Sequence, residues 1–316
     1  MAQPSDTYDA FDMIGIKDDL EDIIYDISPT ATPFMTAAGR IKCKSTLHEW
    51  QTDVLGAAVA TNHVIEGDDA TTDAQVATVR VSNRLNISDK VILVSGTARA
   101  VDSAGRADEL DYLIAKNGKE LKRDMESLLC SDNASVTGNS TTARELGGFE
   151  SWIATNESRG AGGSDGGFSS GNTVSSTEGT QRAFTETLLK EVIRECFDSG
   201  AEPTMVMVGA FNKQVMSTFT GNATRQNDSK SEKLFAAIDF YKSDFGTLKI
   251  VPNRFSRSRS ALVIDPEYIK VGYLRPFQTA KLAKTGDSDR VQLLAEYTLV
   301  VGNEAAHGVV ADLTDS

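Results

Sequence analysis

Apolar and polar positions alternate along this chain with two distinct periods. The helical period is strongest over residues 108–131. There Leu110, Leu113, Ile114, Leu121, Met125, Leu128 and Leu129 fall on one stripe. The pattern predicts a rod of about 36 Å at 1.5 Å per residue. Gly118 weakens it by about 1 kcal/mol relative to alanine. The stripe reads as a face turned to the core. The period-two signal is clearest near the end, where Val291, Leu293, Ala295, Tyr297, Leu299 and Val301 alternate with Gln292, Leu294, Glu296, Thr298 and Val300. That strand spans roughly 36 Å. Two long, matched elements suggest an elongated platform.

A second period-two stretch sets Val79, Val81, Leu85 and Ile87 against Arg80, Ser82, Arg84 and Asn86, and Asn83 breaks its apolar face once. An earlier strand-like run lies around HEWQTDVL (48–55). Between them runs GAAVATNHVIEGDDATTDA (56–74), polar and glycine-containing. The pair predicts a long hairpin with a mobile tip. A lone hairpin is marginal in water, so this one is expected to lean on a neighbour.

The region 183–275 interrupts the platform with an α/β pattern. A helix carries Leu188, Leu189, Val192, Ile193 and Cys196 on one face, and Gly200 stops it. A buried strand MVMV (205–208), a helix around 212–219, a hairpin-like stretch 237–251 and a strand ALVI (261–264) follow. This predicts a compact inserted lobe. Residues 1–40 hold eight acids and two bases, with a helical stripe of Leu20, Ile23, Ile24 and Ile27. The prolines of ISPTATPF (27–34) are expected to end that helix and extend the chain. The result is an arm that must dock on something. Residues 156–180 are rich in Gly and Ser and read as a surface loop or flexible excursion outside the core.

Composition narrows the function. The chain has 316 residues, 40% apolar and 24% charged, which suits a globular protein of one large or two joined domains. No apolar run is long enough to span a membrane, and the acidic N-terminus lacks a signal peptide's charge order. The formal net charge of −13 repels phosphate, so a sequence-reading DNA-binding domain is excluded. A container for DNA is not, because it benefits from low adhesion to its contents.

Candidate chemistry is sparse. Cys43, Cys130 and Cys196 lie far apart, in no CxxC, and fit a reducing compartment. Cys130 and Cys196 fall in helical patterns and read as small buried hydrophobes. His48 sits beside Trp50 on a strand and reads as packing. His63 lies in the hairpin tip and reads as solvated, and His307 stands apart. Glu66, Asp68, Asp69 and Asp73 lack the order of a calcium loop and read as a solvated turn. GAGGSDGG lacks the spacing of a phosphate-binding loop, and no HExxH, P-loop or GxSxG occurs. No catalytic, cofactor-binding or metal-ligating residue is assigned, and no cofactor is expected. An α/β hydrolase built on 183–275 would need a nucleophile–base pair, which is missing.

Several stretches in order resemble one family: ISPTATPF with HEWQTD, KELKRDMESLLCS (119–131) leading to GFESWI (148–153), IVPNRF (250–255), IDPEYIKVGYLRPF (264–277) and LAKTGDSDRVQLLAEYTLVVGNEAAHGVVADL (282–313). They are similar to major capsid proteins of tailed bacteriophages with the Hong Kong 97-type fold, over about residues 10–155 and 185–313. The resemblance implies an α+β subunit with an N-terminal arm (1–45) and an extended E loop (46–95). It implies a peripheral domain (96–183 and 269–316) with a spine helix at 108–131 and a long sheet, and an axial domain (184–268). It implies assembly with itself into hexamers and pentamers around double-stranded DNA, in a virion built in the host cytoplasm. Portal, scaffolding and decoration proteins are the expected further partners, and no membrane is. An encapsulin-like nanocompartment shell is the alternative. Some relatives lose an N-terminal segment on maturation. Here the family-like pattern begins by about residue 10, so no such cleavage is expected. Residues 45–89 contain no lysine, so an isopeptide cross-link from the E loop is not expected either.

Overall fold

The computed structural model describes residues 30–69, 72–101, 108–219 and 239–315. The stripe at Leu20–Ile27 lies outside them. In chain order the helices are α1 (Pro33–Ala37), α2 (Gly96–Ala100), α3 (Glu109–Leu129), α4 (Glu186–Asp198) and α5 (Ala210–Met216). The strands are β1 (Gly39–Lys42), β2 (Leu47–Thr52), β3 (Val79–Arg84), β4 (Asn86–Ser95), β5 (Glu157–Ser158), β6 (Gly167–Ser169) and β7 (Asn172–Val174). They continue with β8 (Met205–Val208), β9 (Phe240–Ser243), β10 (Gly246–Pro252), β11 (Ala261–Ile264), β12 (Ile269–Lys281), β13 (Ser288–Val301) and β14 (Gly308–Val310).

The long helix forms where the stripe predicts it. Asp108 caps it by accepting from Leu110 N at 2.8 Å, and Arg99 holds that carboxylate and Asp289 at 2.6 Å each. Leu110, Leu121, Met125 and Leu129 are buried, while Leu113, Ile114 and Leu128 are half-buried. The helix lies along a four-stranded sheet of order β1-β12-β13-β4. Leu110 and Leu121 on it pack against Ile92, Val94, Val291 and Leu293.

The final strand departs from simple alternation. Val291 through Ala295 alternate inward as expected, but from Ala295 onward every residue is buried. Both sheet faces are covered there. Glu296 is tolerated because Arg144 and Arg275 hold its two oxygens at 2.7 and 2.8 Å. Thr298 donates to the carbonyl of Arg84 at 2.8 Å.

The inserted lobe centres on a six-stranded sheet of order β5-β14-β11-β8-β10-β9. MVMV is its fully buried strand β8, and α4 lays Leu189, Val192, Ile193 and Cys196 on it. Gly200, at φ +88°, ends α4. Strands β5 and β14 come from outside 184–268, so the return segment 269–316 is divided between the two sheets.

Two expectations need correction. Pro33 does not extend the chain. It opens α1, because a residue without an N–H suits the first helical position. The Gly/Ser-rich stretch 156–180 is not outside the core. It contributes β5, β6 and β7, buries Thr173, and packs Phe168 against Trp152. Its glycines serve close backbone approach: a Cβ on Gly160 would meet the Thr180 carbonyl at 2.1 Å. Asp312 accepts from the N–H of both Gly160 and Gly179 at 2.9 Å. Small residues here answer a packing need, which composition alone cannot distinguish from a loop.

Candidate assembly surface

Strands β2 and β3 pair antiparallel from Leu47↔Arg84 to Thr52↔Val79, forming the root of the predicted hairpin. The root is anchored. Trp50 packs on Trp152 at 5.3 Å between ring centroids, Trp152 stacks on Phe168 at 5.5 Å, and His48 flanks Trp50 at 5.9 Å. Asn83, the one break in the apolar face, is buried. Its amide donates to the carbonyls of Gly147 at 3.1 Å and Leu299 at 2.8 Å and accepts from Gly147 N at 2.8 Å. It therefore ties the hairpin root to β13 through bonds that a hydrophobic residue could not make.

Beyond Thr52 the chain leaves the body. Described residues from 53 to 78 are exposed and outside any strand or helix. Leu55 is 93% exposed, Val64 88% and Val76 87%, with Val54, Val59 and Ile65 alongside. So many open aliphatic groups in one excursion mark an interaction surface. The outward side of β4 adds Ile87, Val91 and Leu93, each about half exposed. Sequence reading located this hairpin. It did not single out its aliphatic residues, which look unremarkable until their exposure is seen.

The long helix α3 is likewise fixed to the start of the described chain. Glu126, inside the apolar stripe of α3, is buried. Its two oxygens accept from Phe34 N at 2.7 Å and Met35 N at 2.9 Å, and Asn253 donates to it at 2.8 Å. Thr32 provides no side-chain cap for α1, so this carboxylate caps it from 91 and 92 residues away. Burial pushes the Glu126 carboxyl up, against the pull of these three donors. An acid beside Met125 in the stripe was the available signal, and the sequence reading did not single it out.

The singled-out chemical groups stay apart. Cys43, Cys130 and Cys196 are free and buried, and burial pushes Cys196 up to about 12, far from a reactive thiolate. His63, Glu66, Asp68, Asp69 and Asp73 are exposed. Among the described residues no group of three or more His, Cys, Asp or Glu is placed to hold a metal, and no helix is long and apolar enough to cross a membrane.

His307 is fully buried. Its Nδ1 accepts from Asp265 N at 3.2 Å, its ring meets Phe149 edge-on at 5.1 Å, and its Nε2 has no partner. Burial lowers its pKa to about 3. The unfolded chain takes up this proton near pH 6.5 and the folded chain does not until about 3. Stability from His307 is therefore complete above pH 6.5 and falls as pH drops toward 3. Relative to pH 7, urea unfolding at pH 5 should show about 2 kcal/mol lost through this group. His307→Gln should remove that part of the pH dependence. An unchanged pH profile in the variant would contradict this assignment.

Comparison with known proteins agrees with the geometry. Over 134 residues the chain is 37% identical to the major capsid protein of Escherichia phage Phieco32, a match covering 42% of this chain and 38% of that relative. The fold resembles the cyanophage A-1(L) capsid asymmetric unit, with TM-score 0.69 at 13% identity over 95% of this chain and 97% of that one. It also resembles Gordonia phage Cozz, with TM-score 0.63 at 11% identity over 99% and 98%. A capsid chain of a native GTA particle gives TM-score 0.61 at 10% identity over 96% and 98%. The family model for the SU10 major capsid protein matches residues 4–314, nearly the whole length. A chain matched over this length belongs to the SU10 major capsid protein family, whose members are structural proteins and not enzymes.

Proposed function

We propose that this chain closes, as hexamers and pentamers, the icosahedral head of a tailed phage around double-stranded DNA. The observation that carries this is the hairpin: an anchored root and an intervening stretch whose described aliphatic side chains find no cover on their own subunit. In this reading the subunit has the Hong Kong 97-type plan. The hairpin is the E loop, α3 the spine helix, the four-stranded sheet the peripheral domain, and the six-stranded lobe the axial domain. The E loop lies across the neighbouring subunit, and residues before 45 form an arm. Each contact is modest, and multivalency with closure makes the shell stable. The net charge of −13 keeps the wall from adhering to the packaged phosphates. Portal, scaffolding and decoration proteins would be its partners, and assembly would take place in the host cytoplasm. No observation favours the nanocompartment alternative.

Negative-stain microscopy of the expressed protein should show closed particles or five- and six-membered rings. Monomers alone at all concentrations would overturn the reading. The shell should also be free of covalent links through the hairpin. An amine must lose its proton to attack an amide, and residues 45–89 hold no lysine, only Arg80 and Arg84, whose guanidiniums stay protonated. Boiled, reduced particles should run as one band near 34.0 kDa. A ladder of multimers would contradict this.

A further inference from the structure

We propose that the acidic turn of the hairpin, residues 66–69, docks on the basic edge strand β1 of a second copy of this chain. The inference rests on the reading of the hairpin as a bridge between subunits and names its seat. Strand β1 is the outer strand of the four-stranded sheet, paired parallel with β12 from Gly39↔Lys270 to Lys42↔Tyr273. Cys43 N continues this pairing by donating to the Tyr273 carbonyl at 2.9 Å. Along the edge Arg40, Lys42 and Lys44 are exposed, whereas Ile41 is half-buried and Cys43 is buried. The alternation puts the three cations on one side, each about 7 Å from the next. Lys270 on β12 is exposed beside them, and its Cγ lies 3.2 Å from where a Cβ on Gly39 would stand, so the glycine gives its stem room over β1.

These cations are unspent. Residues 39–44 contain no acid, and among the described residues Arg40, Lys42 and Lys44 make no ion pair. The other closely spaced bases, Arg257 and Arg259, are held by Asp132, Glu150, Glu178 and Asp312. The opposite imbalance marks the hairpin. Residues 53–78 carry five acids and no lysine or arginine, and Glu66, Asp68, Asp69 and Asp73 are exposed and in no ion pair among the described residues. A tight turn presents the first three: Asp68 N donates to the Ile65 carbonyl at 3.2 Å, and Gly67 takes φ +84°.

Desolvation links the acids to a basic seat. Val64 and Ile65 are 88% and 76% exposed immediately before Glu66. A neighbour that covers these two side chains also takes water from Glu66 and Asp68. Without cations to meet them, that loss opposes docking. Strand β1 supplies cations in a row. Fourteen residues lead from Thr52 to Glu66, so the turn can stand up to about 46 Å beyond the root, far enough to reach another subunit. The turn and β1 are different surfaces of one chain. Their contact is therefore head-to-tail, the kind that closes into rings.

The test uses the full chain under assembling conditions. A carbodiimide condenses carboxylates with lysines in contact, and peptide mass mapping locates the amides. Links from Lys42 or Lys44 to Glu66, Asp68 or Asp69 are expected in two-chain bands. Lys42→Glu with Lys44→Glu should lower the yield of assembled particles about tenfold, because like charges then face each other. Both side chains are exposed, so the thermal unfolding of the subunit should be unchanged. Adding Asp68→Lys and Asp69→Lys to that variant should restore the yield to within about threefold, which damage to the strand itself would not allow. The proposal is overturned by links confined to single chains, by these lysines linked instead to residues 1–29, by a yield unchanged by the glutamates, or by no rescue from the swapped charges. Normal particles that retain less added double-stranded DNA would assign β1 to nucleic acid and overturn it as well. Particles without the expected links remove this seat alone, whereas monomers at all concentrations remove the bridge and the seat together.

Discussion

Glu126→Ala is expected to destabilise the subunit by about 3–5 kcal/mol. The substitution leaves the N–H groups of Phe34 and Met35 and the amide of Asn253 without their common acceptor, all in buried surroundings. Phe34 then loses its fixed approach to Phe149, whose ring lies 5.4 Å away edge-on. Glu126→Asp should recover little, because a shorter side chain cannot reach both backbone donors from the same turn of α3. Urea unfolding followed by the fluorescence of Trp50 and Trp152 measures the difference. A loss below about 1 kcal/mol would show that the cap on α1 is dispensable.

Replacing residues 53–78 with Asn-Gly should abolish stable shells and leave the subunit folded. Thr52 and Val79 are the last register pair of the root, so a two-residue turn closes it without strain. The described residues among those removed are exposed, and the bonds shown for them are few, such as Thr78 Oγ1 to Gln51 at 3.1 Å. Unfolding free energy should therefore change by no more than about 1 kcal/mol, the range of surface changes that touch no special feature. Assembly should fail because the excursion carries the aliphatic groups that need a neighbour. Shells with unchanged dissociation behaviour would remove the hairpin from the inter-subunit contact.

Much of this fold is legible in the sequence because its elements are long and one-sided. The stripe of α3 and the alternation at Val291–Leu299 each repeat enough times for the period to be unambiguous. MVMV reads as a buried strand because it lies between a glycine-stopped helix and a second helix. What escaped depends on contacts between distant residues. Glu126 sits at a core position as an acid, and only the backbone of residues 34 and 35 explains it. Asn83 looks like an interruption until Gly147 and Leu299 are seen around it. Strand β12 hides because Pro276 stands within it. The proline is accommodated where the pairing of β12 with β1 has already ended, at Lys42↔Tyr273, and the register with β13 is irregular between Arg275 and Gln278. The hairpin was legible as a pair of strands without an evident partner, and the exposure of its aliphatic residues was not.

The central claim is that the hairpin is an inter-subunit bridge. A cryo-electron microscopy map of assembled particles tests it most directly. The account predicts density for residues 53–78 lying across the adjacent subunit, with Leu55, Val64 and Val76 covered by it. Density that folds back onto the same subunit, or leaves these side chains in solvent within a closed shell, would contradict it.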